Sequence, residues 1–526
     1  MKTISGPELR EKWNQFRLSK DHKYLAEASL IGGKESTAMF NIAWMQQLIP
    51  YLSGKEHPFG KRLFNIQKCI RTVDIDDVGD ASHLTFFEMM GNRSLWDYFK
   101  KEAVDRSREF LVDVLWFDKE KLASTVFQWD EEAPRDEETA WYRKKYLPEN
   151  RIAYLPADNN RRSPGPIGPC GPDTEIFYRV GESELPPADS NPWTDEKNRL
   201  EIWNNVFMEF YRGDDGKLTK LANQNVDTWM GYERMCKVLQ QKNSVYETDV
   251  FDYILAELSS NLNIDYNSDI RRFRIISDHT RTSFFMIKDG ITPSNEWRGY
   301  VLRRLIRRMY YNLSTLKKIS ESELKTILNN VAKNIVAKFS LDVDLENIVQ
   351  TILKECLQFQ KTIENGQKMI GEFFSKSTDS KKLSGKDIFM LYDTFGFPID
   401  LTRELASEKW FQIDEEWFQK EMEQQQERSR KWSKDKFTID VDRWKHVSGL
   451  PATKFVWYQT LESDQINLLK DFEVQWQRIL VFDQTPFYAE SGWQIGDKWM
   501  IELDNWEKLE IKEVKKYEWV FLHFVE

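Results

Sequence analysis

An arginine, a histidine and an aromatic ring lie within seventeen residues of one another in Arg71-Thr-Val-Asp-Ile-Asp-Asp-Val-Gly79-Asp-Ala-Ser-His83-Leu-Thr-Phe-Phe87-Glu-Met89. Side chains of these types are what a nucleoside triphosphate needs, because a guanidinium meets phosphate oxygens in a bidentate fork and a ring stacks on a purine. The stretch reads as a strand ending in Arg71, an acidic turn around Gly79, and a return strand on which Thr85, Phe87 and Met89 share one face. Phe86 then points to the opposite face. His83 either reaches the ligand or ties the loop by hydrogen bonds.

The elements that must position this hairpin follow from the rest of the chain. At 526 residues it is long enough for three or four domains. With a net charge of −10, nucleic-acid binding would need a local basic patch. Cys69, Cys170, Cys236 and Cys356 form no CxxC pair, which fits a reducing compartment and gives no zinc framework. No leader or bilayer-spanning apolar run is visible, so we expect a cytoplasmic protein with no membrane partner.

Leu9, Trp13 and Phe16 give an amphipathic helix over 5–20 that should pack on a sheet. Residues 101–150 carry acidic runs of the solvated-face kind and are assigned no chemistry. The Pro/Gly stretch 159–173 reads as irregular loop before a strand Thr174–Tyr178, and Glu201–Arg212 reads as a buried strand. From about 245 the pattern is helical. Arg271, Arg272 and Arg274, with Arg298, Arg303, Arg304, Arg307 and Arg308, make a basic patch in an acidic chain. Arg303/Arg307 and Arg304/Arg308 are i, i+4 pairs, either a solvated helix face or two rows able to follow a phosphate backbone. Leu345, Ile348, Val349, Ile352, Leu353 and Cys356 mark a long core helix. A polar link at 375–385 and an exposed helix at 421–430 follow, and after 450 the period becomes two.

Several ordered segments carry a family resemblance. Asn225-Val-Asp227-Thr-Trp229-Met-Gly231-Tyr-Glu-Arg234 resembles motif 3 of the class II aminoacyl-tRNA synthetases, a strand running into a helix, and the Arg71 hairpin resembles motif 2. Thr37–Gln47 resembles the motif 1 region, a strand entering a helix. Gly168-Pro-Cys-Gly-Pro172, Glu201–Met208, Pro293-Ser-Asn-Glu296 with Arg298–Arg304, and Tyr392-Asp-Thr-Phe-Gly-Phe-Pro398 narrow the resemblance to the alanyl-tRNA synthetase family and extend it over the whole chain.

The resemblance implies an α+β fold: a class II antiparallel sheet flanked by helices over 1–245, an all-α tRNA-recognition domain over 246–450, and a small β-barrel over 451–526. It implies ATP and Mg²⁺ as cofactors, with L-alanine and the acceptor stem of alanine tRNA as partners. Arg71 and Arg234 become the catalytic arginines, and His83, Phe87 and Met89 join them in the ATP site. Asn204, Val206, Asp227 and Trp229 fall at the alanine site. Asn295 and Asp393 fall where the family reads a G·U pair, with Arg303, Arg304, Arg307 and Arg308 on the tRNA backbone. The hairpin loop is shorter than in the family and lacks its lysine, and Arg162 stands where a pocket tryptophan is usual. The family's editing domain would need a His-x-x-x-His pair and a Cys/His pair for zinc. That spacing does not occur before Glu526, and the dimerisation region is likewise not seen, so we expect no metal site and a monomer for this chain. A tRNA-binding paralogue without catalysis, or a ligase acting on another acceptor, are the competing readings.

Glycine is scarce and tryptophan abundant: 23 Gly against 20 Trp, where average usage of ~7 % would give roughly 37 glycines. Trp44, Trp96, Trp229, Trp297 and Trp493 stand where the resemblance expects glycine, and Trp129, Trp457 and Trp499 look similar. An indole can supply neither a positive φ nor a close backbone approach. Either the lineage is rich in tryptophan or UGA encodes glycine in this gene. The codons discriminate: UGA at the suspect positions with UGG at Trp203 is the expected outcome, and UGG throughout would exclude it.

Overall fold

The computed structural model describes residues 3–31, 39–163, 168–180, 186–187, 190–213, 215–376, 381–393, 397, 399–418, 420–421, 450–451, 453–455, 466–474, 477–487, 499–503, 507–517 and 520–525. The helix expected beyond Glu421, Trp457 and Trp493 lie outside them. Two compact units emerge, Met1–Lys381 with Leu391–Phe411, and Lys382–Met390 with Gln412–Glu526.

The first unit is built on one mixed sheet. Its described strands are β1 (Lys23–Tyr24), β2 (Arg62–Ile70), β3 (Phe86–Leu95), β4 (Leu122–Phe127), β5 (Ile152–Leu155), β6 (Arg161–Arg162), β7 (Gly168–Arg179), β8 (Arg199–Arg212) and β9 (Leu218–Gly231). The order is β1-β2-β3-β9-β8-β7-β4-β5, with β6 beside β7. The expected antiparallel pairing holds from β2 to β4, whereas β1 on β2 and β5 on β4 are parallel. Those edge pairs are the two that no hairpin can close, since a parallel neighbour must return by a crossover.

Helix Gly6–Ser19 covers one side of this sheet as its apolar spacing predicts. Trp13 is wholly buried and meets Phe110 and Trp203 edge-on at centroid distances of 5.3 and 5.8 Å. Its start has a serine cap, Ser5 accepting from the Glu8 amide, and Pro7 in the first turn.

Two expectations need correction. The Gly168–Pro172 stretch is not loop but the start of β7, paired to β8 with a register shift between Cys170 and Asp173. That shift takes up the proline, which has no amide to donate, and a Cβ on Gly171 would stand 1.8 Å from the Phe207 carbonyl oxygen. In the motif 1 region, described residues 39–43 form no strand and lead into a 3₁₀ turn, Trp44–Leu48, and a short helix, Ile49–Leu52.

Helices Asp252–Leu262, Ile270–Lys288, Trp297–Leu316, Glu321–Phe339, Leu345–Lys376 and Ile399–Glu408 also belong to the first unit. The predicted stripe Ile348, Val349, Ile352, Leu353 and Cys356 is buried. A buried charge network fastens helices to sheet. Arg281 donates to Glu233 at 2.9 Å and stands 3.7 Å from Glu88, which also pairs with Arg10. Phe86 is buried, stacked on Phe285 at 4.4 Å.

In the second unit, Leu468–Val474, Gln477–Phe482, Val520–Val525, Lys508–Tyr517 and Trp499–Glu502 form an antiparallel sheet in that spatial order. Period-two patterning predicted the strands. Among the described residues no pair joins the outer two, so the sheet is open where a barrel was expected.

Burial raises the Glu233 carboxyl above the ordinary range, and Arg281 opposes that. Arg281→Met should therefore destabilise the unit by ~3–5 kcal/mol, because it strands buried carboxylates. Chemical denaturation at neutral pH measures this, and a loss below about 1 kcal/mol would show that Arg10 alone compensates them.

Candidate active site

Cross-strand register assembles one face of the sheet. Arg93 lies opposite Asp227, Gly91 opposite Trp229, and Met89 opposite Gly231. Asp227 in turn lies opposite Val206 and Trp229 opposite Asn204. Continuing outward, Val206 faces Asp173 and Asn204 faces Glu175. Because strand side chains alternate, Phe87, Met89, Gly91 and Arg93 share this face with Asn204, Val206, Asp227 and Trp229.

At its upper end is a pocket lined by Arg71, Asp74, His83, Phe87, Trp229 and Arg234, among others. Arg71 follows β2 directly, and its amide donates to the Thr85 carbonyl, closing the hairpin at 3.0 Å. Its guanidinium carbon is 5.0 Å from the Phe87 ring centroid and 5.5 Å from that of Trp229. Arg234 projects from helix Tyr232–Leu239, which begins where β9 ends, and its Nη1 is held 3.1 Å from Glu201 Oε2. His83 does tie the loop, its Nδ1 standing 2.6 Å from Asp80 Oδ2, and it also lines the pocket. Met89 is wholly buried beneath. The structure thus gathers two arginines, a histidine and a half-buried ring at one cavity.

Lower on the same face the groups are acidic and buried. Asp227 pairs with Arg93, over which the Trp44 ring lies at 4.3 Å. Burial pushes the Asp227 carboxyl up to about 6 and Arg93 pulls against it. Asn204 donates from Nδ2 to Asp173 at 2.6 Å and to Glu175 at 3.2 Å, and its own Oδ1 has no hydrogen-bond partner. Arg162, at the position of the expected aromatic wall, reaches Glu175 at 2.8 Å and Asp173 at 3.6 Å. Burial raises both carboxyls. Sequence reasoning missed Arg93, Asp173, Glu175 and Glu201. Alternation through Thr174 would have put Asp173 and Glu175 on the Asn204 face, had the preceding residues been read as strand.

The basic patch is placed differently from expectation. Arg308 is buried and donates to the Ile75 carbonyl at 2.5 Å, and Arg304 reaches Asp76 at 2.8 Å. Both therefore brace the hairpin loop. Arg303 and Arg307 converge on Glu355, at 3.3 and 2.8 Å. Exposed Asn295 contacts Arg303 and makes no cap for helix Trp297–Leu316. Asp393 ends helix Gly385–Asp393, and its side chain is outside the described residues.

A hairpin arginine and a helix-borne arginine flanking one pocket on such a sheet is the arrangement that the sequence resemblance anticipates. A family model, tRNA synthetases class II (A), matches residues 8–526. The chain belongs to that family. It is 38 % identical over 520 residues to a curated alanine–tRNA ligase of Thermotoga maritima, covering 95 % of this chain and 59 % of that protein. Against the alanine–tRNA ligase of Thermoanaerobacter pseudethanolicus the figures are 36 % over 539 residues, 99 % and 61 %. Against that of Francisella philomiragia they are 37 % over 534 residues, 99 % and 60 %. The chain thus spans about three fifths of these synthetases' length. No described helix is long and apolar enough to cross a membrane, and the described residues hold no group of three His, Cys, Asp or Glu placed for a metal.

A carboxyl raised by folding keeps its proton in the native state to higher pH than in the unfolded chain. Asp227 thus contributes stability that is complete below its ordinary value of 3.8 and lost as pH rises to about 6. Asp227→Asn should flatten the stability–pH curve across that window, read by denaturation at stepped pH. A variant as pH-dependent as the parent would assign the effect elsewhere.

Proposed function

We propose that this chain carries the alanine-activating and tRNA-charging part of an alanine–tRNA ligase. Alanine and ATP form alanyl-adenylate and pyrophosphate, and the alanyl group then passes to the 3′ end of alanine tRNA. The observation carrying this reading is the meeting of Arg71, Phe87 and Arg234 at one pocket, in a chain matched end to end by curated alanine–tRNA ligases.

ATP would lie with its adenine between Phe87 and Arg234. Its phosphates would meet Arg71, and His83 would stand at the rim. Among the described residues Arg71 donates from Nε to the Ile42 carbonyl at 3.4 Å and lies beside the Phe87 and Trp229 rings, and its fork would meet the α-phosphate as charge develops during attack by the alanine carboxylate. Catalysis of this kind is positioning and electrostatics, with no covalent nucleophile. Mg²⁺ would enter with the triphosphate and neutralise it, keeping phosphate oxygens and waters as most of its ligands. Glu201, whose buried Oε1 has no hydrogen-bond partner, is a protein oxygen suited to such a hard cation.

Asp227 would hold the alanine ammonium and Asn204 its carboxylate side, with Val206 against the methyl group. A buried cation needs that counter-charge. Arg93 keeps Asp227 compensated while the site is empty, and Asp173 and Glu175 add negative potential through Asn204. Residues 1–245 are then the aminoacylation domain, 246–450 the tRNA-recognition domain, and 451–526 a small β domain. Asn295 and Asp393 would read the G·U pair of the acceptor stem, an amide and a carboxylate being suited to base edges. Arg303 and Arg307 would face its phosphates, while Arg304 keeps its contact with Asp76 in the hairpin loop. Arg308 is kept for the hairpin.

One observation favours a non-catalytic tRNA-binding relative: the Trp229 indole lines the pocket beside Arg71. Alanine-dependent ATP–pyrophosphate exchange decides between them. The full chain should exchange, and Arg71→Ala should lower the rate ~10²–10³-fold, the usual effect of losing one transition-state donor. Charging should favour a G·U over a G·C acceptor stem, and Asn295→Ala should erase that preference. Exchange absent with glycine and tryptophan alike at 229 would defeat the enzymatic reading.

A further inference from the structure

Ten non-glycine residues have positive φ among the described residues, and five of them are tryptophan: Trp96 (59°), Trp116 (57°), Trp129 (158°), Trp297 (50°) and Trp410 (61°). The type makes up only 20 of the 526 residues. A β-carbon collides with the backbone in this region, and the non-glycine types that tolerate it are short polar ones such as Asn and Asp. Asp21 and Asn263, two of the other five, are of that kind. A bulky aromatic is the wrong residue on steric grounds, five times over.

Local hydrogen bonding says which residue belongs there. Helix Ile399–Glu408 ends with Phe411 N–H donating to the Ala406 carbonyl at 2.8 Å and Trp410 N–H to the Ser407 carbonyl at 3.0 Å. That pair of bonds is the Schellman closure, whose left-handed residue, here Trp410, is usually glycine. Trp116 also follows helical turns, Glu109–Val114, and the chain turns back there with Phe117 N–H donating to the Leu111 carbonyl at 2.9 Å, a span one residue longer than the Phe411–Ala406 bond. At two of the five positions the indole is largely in solvent. Trp410 is 84 % exposed and Trp297 74 %, whereas Trp13 and Trp203, at ordinary φ, are wholly buried in aromatic contacts.

We propose that the left-handed positions 96, 116, 129, 297 and 410 are glycine in the protein that the cell makes, through one codon read as glycine instead of tryptophan, and that position 229 is decoded the same way. Trp116 and Trp410 belong to this set on backbone geometry alone. Position 229 joins it by location, in a statement that rests on the proposed active site. Its cross-strand neighbours are Gly91 and Asn204, and its ring approaches Arg71. An indole there fills the junction between the pocket lined by Phe87 and Arg234 and the Asn204–Asp227 face. With only a hydrogen at 229 the two become one continuous cleft, so an amino-acid carboxylate could reach a phosphate held by Arg71. Glycine at 229 is then the residue that admits the substrate.

Peptide mass spectrometry on the chain purified from its source cells tests this without reference to activity. Glycine at 96, 116, 129, 229, 297 and 410, with tryptophan at 13 and 203, is the expected result; tryptophan at the left-handed positions overturns the proposal. In recombinant full-length chain, Trp116→Gly with Trp410→Gly should raise the melting midpoint, and a lower midpoint would overturn the geometric argument. Trp229→Gly should raise alanine-dependent exchange by at least ~10-fold. Glycine in the native peptides with no exchange from the Trp229→Gly chain would leave the decoding standing and remove the active-site reading alone.

Discussion

Register between β3, β9 and β8 is the constraint on which the site depends. Side chains alternate across a sheet, so a slip of one residue would turn Phe87, Asp227 and Asn204 away from each other together. The pairing is fixed where the cost of error is greatest. Asp227 and Arg93 are both buried opposite one another, and any other register would leave each charge without its partner. An ion pair that contributes little net stability can still select one alignment. The wholly buried Met89 and Val206 beside it require the same face to point inward.

Helices then fix what strands cannot. The loop from Arg71 to Thr85 has few backbone bonds of its own, and its shape comes from side chains on two helices. Asp278 accepts from the Thr85 amide at 2.9 Å, Arg308 holds the Ile75 carbonyl, and Arg304 holds Asp76. Gly79, at φ 122°, lets the loop lie against Arg271, where a β-carbon would be 2.9 Å from that side chain. The basic helix Trp297–Leu316, which looks in sequence like a surface for polyanions, thus turns Arg304 and Arg308 to the hairpin loop. Through the Arg10–Glu88–Arg281–Glu233 network, helices and sheet share one buried charge balance. A shift in the helices would be felt at the hairpin.

The electrostatics of the cleft are divided along its length. Arg71 and Arg234 stand at the end lined by Phe87. Buried carboxyls gather at the other, their proton affinity raised by burial and restrained by Arg93 and Arg162. A zwitterionic substrate set between them would be oriented with its carboxylate toward the arginines. The replacement of an aromatic wall by Arg162 fits this scheme, since it comes with Asp173 and Glu175 as its partners.

Residue type and spacing determined the strand–turn–strand of the hairpin, the placing of Phe86 and Phe87 on opposite faces, the helix packed through Trp13, the long helix of Ile348 to Cys356, and the strands after 450. These are short-range patterns, in which period alone decides what faces inward. Arg71, His83 and Phe87 stood out by residue type within the hairpin, whereas Arg234 was named only by the resemblance of Asn225–Arg234 to motif 3. What the tertiary structure decided was who pairs with whom. That Arg93 neutralises Asp227, that Asn204 serves Asp173 and Glu175, that Arg308 is buried, and that Gly168–Pro172 is strand all depend on partners far away in the chain. Local pattern carries no information about a distant counter-charge, and the energy of a buried charge is set almost entirely by that counter-charge.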